Sequence, residues 1–120
     1  MRVWYSHQFV LPLPPGHRFP MVKYALLHAR VAAASERLGI VLGEAAAASA
    51  DDLARVHGAD YIARVLGGTL SEKEQRRIGF PWSLKMAERS RRVSGATIAA
   101  LSAAIDGDGI SINLAGGTHH

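Results

Sequence analysis

The feature that most constrains this chain of 120 residues is its alternation of short β-strand signals with helical segments. Val3-Trp4-Tyr5 is β-branched and aromatic, which is typical of a strand. Residues 40–42 and 110–114 carry similar apolar signals and predict two further strands. Because each return to a strand passes through helical sequence, the order favours an α/β fold with a parallel sheet.

Capping residues and helical spacing delimit the segments between these strands. Apolar residues recur at helical intervals over residues 21–38, between Pro20 and Gly39. Short helices are predicted to begin at two capping boxes and at an aspartate between them: Ser49 with Asp52, Ser71 with Glu74, and Asp60. The alanine-rich residues 45–50 are compatible with a helix or with a flexible connection.

A long helix is predicted over residues 83–105, with Ser83 as its cap and a Gly-rich turn after it. Its small and apolar face is expected to pack on the sheet and comprises Met86, Ser90, Val93, Thr97, Ala100, Leu101 and Ala104. The opposite, charged face comprises Lys85, Glu88, Arg89 and Arg92.

Composition excludes several classes of protein. The absence of cysteine rules out disulfide bonds, thiolate zinc sites and a cysteine nucleophile. No apolar run approaches the ~20 residues needed to span a bilayer. Residues 1–7 also lack the long apolar stretch of a signal peptide. We therefore expect a single cytoplasmic domain without membrane contact.

The last residues, Gly116-Gly117-Thr118-His119-His120, carry the clearest chemical signal. They follow a predicted strand, and active sites of open α/β sheets lie beyond the carboxyl ends of the strands. His119 and His120 could divide proton transfer and charge stabilisation between them, since histidine titrates near neutral pH. A purification-tag remnant or an ordinary buried pair would give the same local sequence.

Four segments together resemble bacterial members of the histone deacetylase family, including amidohydrolases of the acetoin-utilization type. The first is residues 10–24, which include Gly16-His17-Arg18-Phe19-Pro20. The second covers residues 52–62, and the third runs from Gly79-Phe80-Pro81-Trp82 to residue 100. The fourth is residues 113–120, which are similar to the Gly-Gly-x-His-His element of the family. The segments occur in the family's order and disfavour the tag interpretation.

This resemblance implies a three-layer arginase–deacetylase fold with a parallel sheet. Residues 1–120 would form the N-terminal portion of a single domain, and this portion would end at the tandem histidines. The family uses zinc to hydrolyse acetyl-lysine, acetylpolyamines or related acyl amides. By position, His120 would be the general base and acid, and His119 its electrostatic partner.

The resemblance also assigns weaker roles and one gap. Arg18 would line an interior channel or serve a structural role, and Phe80, Pro81 and Trp82 would shape the substrate rim. The family's metal ligands and its transition-state tyrosine follow the tandem histidines, so no metal ligand is assigned within this sequence. The parent protein would use Zn²⁺, whereas the 120 residues alone would bind none and would be inactive.

Two alternatives belong to other functional classes. The chain could be a non-catalytic binding or assembly module, because an exposed sheet edge favours association, including association between identical chains. It could also bind nucleic acid through Arg76, Arg77, Lys85, Arg89, Arg91 and Arg92. Acidic residues are interleaved with these cations, which predicts a solvated face and no nucleic-acid partner.

Overall fold

A computed structural model describes residues 1–116, in which three short strands alternate with five helices. The strands are β1 (Arg2–Tyr5), β2 (Val41–Glu44) and β3 (Ser111–Asn113). The helices are α1 (Val22–Leu38), α2 (Ala50–Ala54), α3 (Ala59–Gly67), α4 (Glu72–Ile78) and α5 (Leu84–Ile105). Among these residues, no helix combines the length and hydrophobicity needed to cross a membrane.

The three strands form one parallel sheet in the order β2-β1-β3. Val3 lies at its centre, in register with Leu42 on one side and Ile112 on the other, and is 1% exposed. Helix α1 connects β1 to β2, and helices α2 to α5 connect β2 to β3. Parallel strands need such crossover connections. The α/β class and the parallel sheet predicted from the sequence are confirmed.

Helices α1 and α5 cover opposite faces of this sheet. Asn113, in register with Trp4, donates a hydrogen bond to the carbonyl oxygen of Val93 in α5. Side chains alternate along a strand, so Tyr5 points to the other face, where its ring lies against His28 of α1. The sheet is therefore the middle layer of three.

The predicted helix boundaries agree with the structure where capping residues set them. The hydroxyl oxygens of Ser49 and Ser71 accept hydrogen bonds from the N3 amides of α2 and α4. In each pair, the carboxylate of the N3 residue accepts a hydrogen bond from the backbone amide of the cap. Ser83 caps α5 through the amide of Met86, and Gly39 ends α1 in the left-handed conformation. These predictions are confirmed.

The alanine-rich residues 45–49 form a non-helical connection packed on α5. Ala48 exchanges backbone and side-chain hydrogen bonds with Arg91, and Arg92 donates to the carbonyl oxygen of Ala45. The backbone comes so close that a Cβ on Gly95 would overlap the carbonyl oxygen of Ala46. Glycine at position 95 is what allows this contact.

The predicted inner face of α5 was partly wrong. Arg89, which we expected on the charged outer face, is buried, whereas Ser90, Thr97 and Leu101 are exposed. The helix packs through a row at i, i+3, i+7, i+10 and i+14, which comprises Met86, Arg89, Val93, Ala96 and Ala100. The predicted inner face was rotated about the helix axis relative to this row, because small polar residues were assigned to the inside and the arginine to the outside.

Candidate active site

Hydrogen bonds fix the end of β3 at the carboxyl edge of the sheet. The amide of Leu114 donates to the carbonyl oxygen of Trp4 at 2.9 Å, and the amide of Ala115 donates to Oδ1 of Asn113 at 2.9 Å. Nδ2 of Asn113 in turn bonds α5 through Oγ1 of Thr97 at 3.0 Å. Residue 116 therefore leaves the sheet from a defined position. Gly117, Thr118, His119 and His120 lie outside the described residues.

A cavity of about 220 Å³ opens beside this strand end. Its walls are mainly apolar and aromatic and include one cation, Arg89. The lining residues are Leu11, Phe19, Tyr24, Ile78, Phe80, Met86, Arg89, Ser90, Val93, Ser94, Ala115 and Gly116. The wall includes the two residues that precede the Gly117–His120 sequence. Apolar walls with a few polar groups are one feature that this cavity shares with small-molecule sites.

Arg89 is the buried cation of this cavity and is 7% exposed. Its Nη1 donates to the carbonyl oxygen of Phe9 at 2.7 Å and to that of Ser6 at 3.4 Å. Its guanidinium carbon lies 4.5 Å from the centre of the Tyr24 ring. Burial lowers the pKa of Arg89, while Tyr24 acts in the opposite direction. An arginine stays charged in proteins even so.

No acidic side chain within residues 1–116 forms an ion pair with Arg89. The charge is therefore stabilised by backbone carbonyl groups and an aromatic face. Arg89 ties α5 to the loop that follows β1, so it sets the shape of the sheet's carboxyl edge. Neutral hydrogen-bond partners of this kind reduce the cost of burying a charge but do not neutralise it.

Phe80 is the residue of the predicted substrate rim that reaches this cavity. Its ring meets Phe19 edge-to-face at 5.1 Å between centroids and lies 5.8 Å from the ring of His17. Gln75 of α4 donates a side-chain hydrogen bond to the carbonyl oxygen of Phe80 and holds its backbone. Phe80 thus joins the loop of residues 10–20 to α4.

Trp82 and Pro81 lie elsewhere. The indole Nε1 of Trp82 donates to the carbonyl oxygen of Val65 at 2.7 Å, and the ring packs on Gly68 at the end of α3. Pro81 is exposed. The structure brings neither residue to the cavity wall.

Arg18 has an exposed side chain, although both of its neighbours point inward. The ring of Phe19 contacts Phe80, and Nδ1 of His17 accepts the amide of Phe19 at 3.2 Å. Of residues 17–19, Phe19 is the one that lines the cavity. The channel role of Arg18 stays a prediction.

Residues 1–116 contain no group of three or more histidine, cysteine, aspartate or glutamate side chains that could hold a metal ion. A structural zinc site needs about four ligands and a catalytic one about three. Residues 1–116 therefore do not provide a ligand set for a zinc ion.

From the sequence, we did not predict that the guanidinium group of Arg89 would be buried against the ring of Tyr24. The available signal was the position of Arg89 in line with Met86, Val93 and Ala96, where an apolar residue is normally found. A charged residue in an otherwise apolar row is buried with a partner or marks a site. Tyr24, at the start of α1, supplies that partner as a ring face.

Comparison with known proteins gives two findings. The model of a family described as histone deacetylase domain matches residues 14–120. An uncharacterized protein of Picosynechococcus sp. is 37% identical over 118 residues, which cover 98% of this chain and 39% of that protein. The chain thus spans less than half the length of this relative.

Proposed function

Since the chain belongs to the histone deacetylase family, we propose that it is the N-terminal portion of a single deacetylase domain, residues 1–120, which removes acetyl groups from lysine side chains, polyamines or related amines. The three-stranded parallel sheet between helices is consistent with the N-terminal portion of an arginase–deacetylase fold. In this proposal the parent protein is a hydrolase that acts on acetylated substrates. The observation that carries the proposal is the family match, because it extends through His119 and His120.

In this proposal His119 and His120 supply the proton transfers of amide hydrolysis. His120 accepts a proton from the attacking water and returns it to the amine nitrogen as the C–N bond breaks. His119 stabilises the charge that develops during this exchange. Imidazole suits both directions of transfer because its ordinary pKa lies near neutral pH.

The fixed end of β3 supports this assignment. Parallel strands gather their carboxyl ends at one edge, where binding and catalytic groups of α/β proteins collect. Leu114 and Ala115 are hydrogen-bonded at this edge, and the histidines follow four and five residues after Ala115. The adjacent cavity offers apolar walls for a small acyl group.

We include zinc dependence in the proposal because the family resemblance implies it. The described residues supply no ligand set, so the ligands would come from outside residues 1–116. We predict that the 120-residue chain alone retains no stoichiometric zinc and shows no deacetylase activity. Atomic absorption after dialysis tests the first part, and one tightly held zinc per chain would contradict it.

Arg18 and the rim residues enter the proposal with different support. Phe80 lines the cavity and is our first choice for an acyl-contacting residue. Arg18 is exposed and adjoins Phe19 of the cavity wall in sequence, so its charge could attract a carboxylate product. Pro81 and Trp82 contribute to the rim only through the backbone that carries Phe80. Cytoplasmic location remains part of the prediction.

Replacing His120 by alanine tests the catalytic assignment in an active protein that contains this sequence. We expect kcat/KM for an acetyl-lysine peptide to fall by about 10²- to 10⁴-fold, because positioned proton transfer contributes that much. Zinc content should stay unchanged in the same samples. The matched control is His57→Ala, since His57 is exposed after α2 and should leave turnover intact. Normal turnover in His120→Ala would remove the assigned role.

A second candidate is an assembly module, favoured by the sheet edges. Within residues 1–116, β2 and β3 each pair on one side only, and Ile110 and Ile112 beside the β3 edge are exposed. Unpaired strand edges invite pairing with another chain. Light scattering coupled to size-exclusion chromatography distinguishes this candidate: a stable oligomer without deacetylase activity in the parent protein would favour it.

A further inference from the structure

Two histidines outside the proposed catalytic pair stack where α1 meets the end of β1. The ring centroids of His7 and His28 lie 4.0 Å apart with an interplanar angle of 26°. Tyr5 closes the cluster, with its ring centroid 4.5 Å from that of His28 and 5.3 Å from that of His7. The three rings form one contact between helix and sheet, which we call the imidazole stack.

The imidazole stack is one of the contacts that hold the inner face of α1, and Tyr24 provides another. Tyr24 and His28 are four residues apart and therefore share a helix face. Tyr24 is buried against Arg89, whereas His28 rests on His7 and Tyr5. Most of the remaining α1 side chains are exposed, among them Val22, Leu26 and Leu27. The attachment of α1 thus depends on few residues.

The cluster is not arranged as a metal site. Stacked rings present their faces to each other, whereas metal ligation uses nitrogen lone pairs in the ring plane. The described part of the chain also holds no group of three metal-binding side chains. The stack is instead a packing contact between α1 and the end of β1.

Charged groups around the stack are few. Glu44, at the end of β2, attracts a proton toward His7, but it also pairs with Nη1 of Arg92 in α5 at 3.7 Å. Tyr5 is the titratable group that β1 contributes. Nδ1 of His7 is buried without a hydrogen-bond partner among the described residues. Burial lowers the pKa of His7, and His28 lowers it further, against the opposing effect of Glu44.

We propose that the imidazole stack is a pH-sensitive latch that holds α1 on the sheet when both rings are neutral and loosens it when both are protonated. Two unit charges about 4 Å apart disfavour the doubly charged state by about fivefold even in a water-like dielectric. Loosening α1 also withdraws Tyr24 from Arg89, so the latch reaches the cavity wall at the carboxyl edge.

The direction of the effect follows from proton binding. Because the pKa of His7 is lower in the folded chain than its ordinary value of 6.5, the unfolded chain binds more protons just below that pH. Stability from this group is complete above pH 6.5 and is lost as the pH falls below it. Acidification should therefore release α1.

Hydrogen exchange of the full chain at about pH 7.5 and about pH 5.5, corrected for the intrinsic exchange rate, tests the latch. We expect α1 amides to lose about fivefold protection at the lower pH. His28→Phe keeps a ring in the stack but removes its charge, so this loss should disappear. The control His57→Phe changes an exposed histidine that lies away from the stack and should keep the wild-type response.

An equal loss of α1 protection in wild type and His28→Phe would overturn the proposal. If His28→Phe does not fold, His7→Phe makes the same comparison from the sheet side. Titration of both imidazoles by NMR in the wild-type chain provides an independent measurement. Coupled titration of His7 and His28 supports the latch, and two independent single-site curves overturn it.

Discussion

Arg89 shows at the residue scale how one buried side chain shapes the candidate site. In the loop after β1, the carbonyl group of Ser6 accepts the amide of Phe9, whereas the carbonyl group of Phe9 receives its donor from α5. Arg89 supplies it from α5 and covers its remaining surface with the ring of Tyr24. Three separate segments thus meet at one guanidinium group.

Replacing Arg89 by lysine isolates the geometry of this contact from its charge. Lysine keeps the buried cation and its desolvation cost, but it lacks the planar guanidinium group, whose flat face stacks on the Tyr24 ring while Nη1 donates to both carbonyl groups. We expect the free energy of unfolding to fall by about 1–3 kcal/mol, measured by urea denaturation. The exposed Arg77→Lys serves as the control and should stay within about 0.5 kcal/mol of wild type. Equal stability of the two variants would contradict the role of Arg89.

Glu74 predicts a separate dependence on acid pH. Hydrogen bonds from Arg64 and from the amide and hydroxyl of Ser71 lower the pKa of Glu74 to about 2, from an ordinary value of 4.5. A carboxyl with a lowered pKa stabilises the fold above pH 4.5, and this contribution is lost as the pH falls toward 2. Urea denaturation across that range should show a shallower decline for Glu74→Gln than for wild type. Glu36→Gln, on the exposed surface of α1, is the control; identical curves for wild type and Glu74→Gln would refute the assignment.

At the scale of elements, the close approach of residues 45–49 to α5 is the tightest requirement of the fold. This connection fills a place that a side chain on α5 would otherwise occupy. Arg91 and Arg92 then bond its backbone, which has no helix or strand partners of its own. A glycine in mid-helix costs about 1 kcal/mol relative to alanine, so the packing has to offset that cost.

Gly95→Ala should therefore destabilise the chain despite the higher helix propensity of alanine. The added methyl group overlaps the Ala46 carbonyl group, and displacing the connection costs about 1–3 kcal/mol or more. Gly67→Ala is the matched control, because Gly67 lies in α3 with open space at its Cβ position. That control should be neutral or slightly stabilising in thermal denaturation. A stabilised Gly95→Ala would show that the two segments separate easily.

Sequence predicted the elements well where a local rule determines them. The caps Ser49, Ser71 and Ser83 fix helix starts because each hydroxyl oxygen accepts the amide three residues later. Sheet order and the path of residues 45–49 depend on contacts between distant segments, which local spacing does not encode. The burial of Arg89 is of this kind, since its partners lie about 80 residues away.

The candidate site was predictable only through the resemblance of several motifs together. Residues 110–114 were predicted to form the strand before the tandem histidines, and the described structure confirms a strand there that pairs in parallel with β1. The roles of His119 and His120 stay predictions because both residues lie outside the described part of the chain. Phe80 lines the cavity, and its role at a substrate rim stays a prediction. The packing of Trp82 on α3 follows from a contact with Val65 that sequence spacing does not indicate.

At the scale of the whole molecule, the net charge of +4 does not amount to a basic face. Arg89 is buried, and Arg91 and Arg92 are held against residues 45–48 by hydrogen bonds. Arg92 also pairs with Glu88 at 2.7 Å. Half of the six cations considered for nucleic-acid binding are thus engaged within the fold.

We accordingly expect no specific binding to nucleic acid. Arg77 and Lys85 are exposed, but Arg76 lies 3.5 Å from the carboxylate of Glu72, so an acidic group interrupts this row of cations. Fluorescence anisotropy with labelled duplex DNA and RNA at about 150 mM salt should give dissociation constants no tighter than about 10⁻⁴ M, the weak limit of non-specific binding. A salt titration provides the internal control, because each phosphate contact contributes about 0.9 to the slope of log K against log salt. A slope of several contacts with tighter binding would show that the cations act together despite their internal partners, and it would revive the nucleic-acid hypothesis.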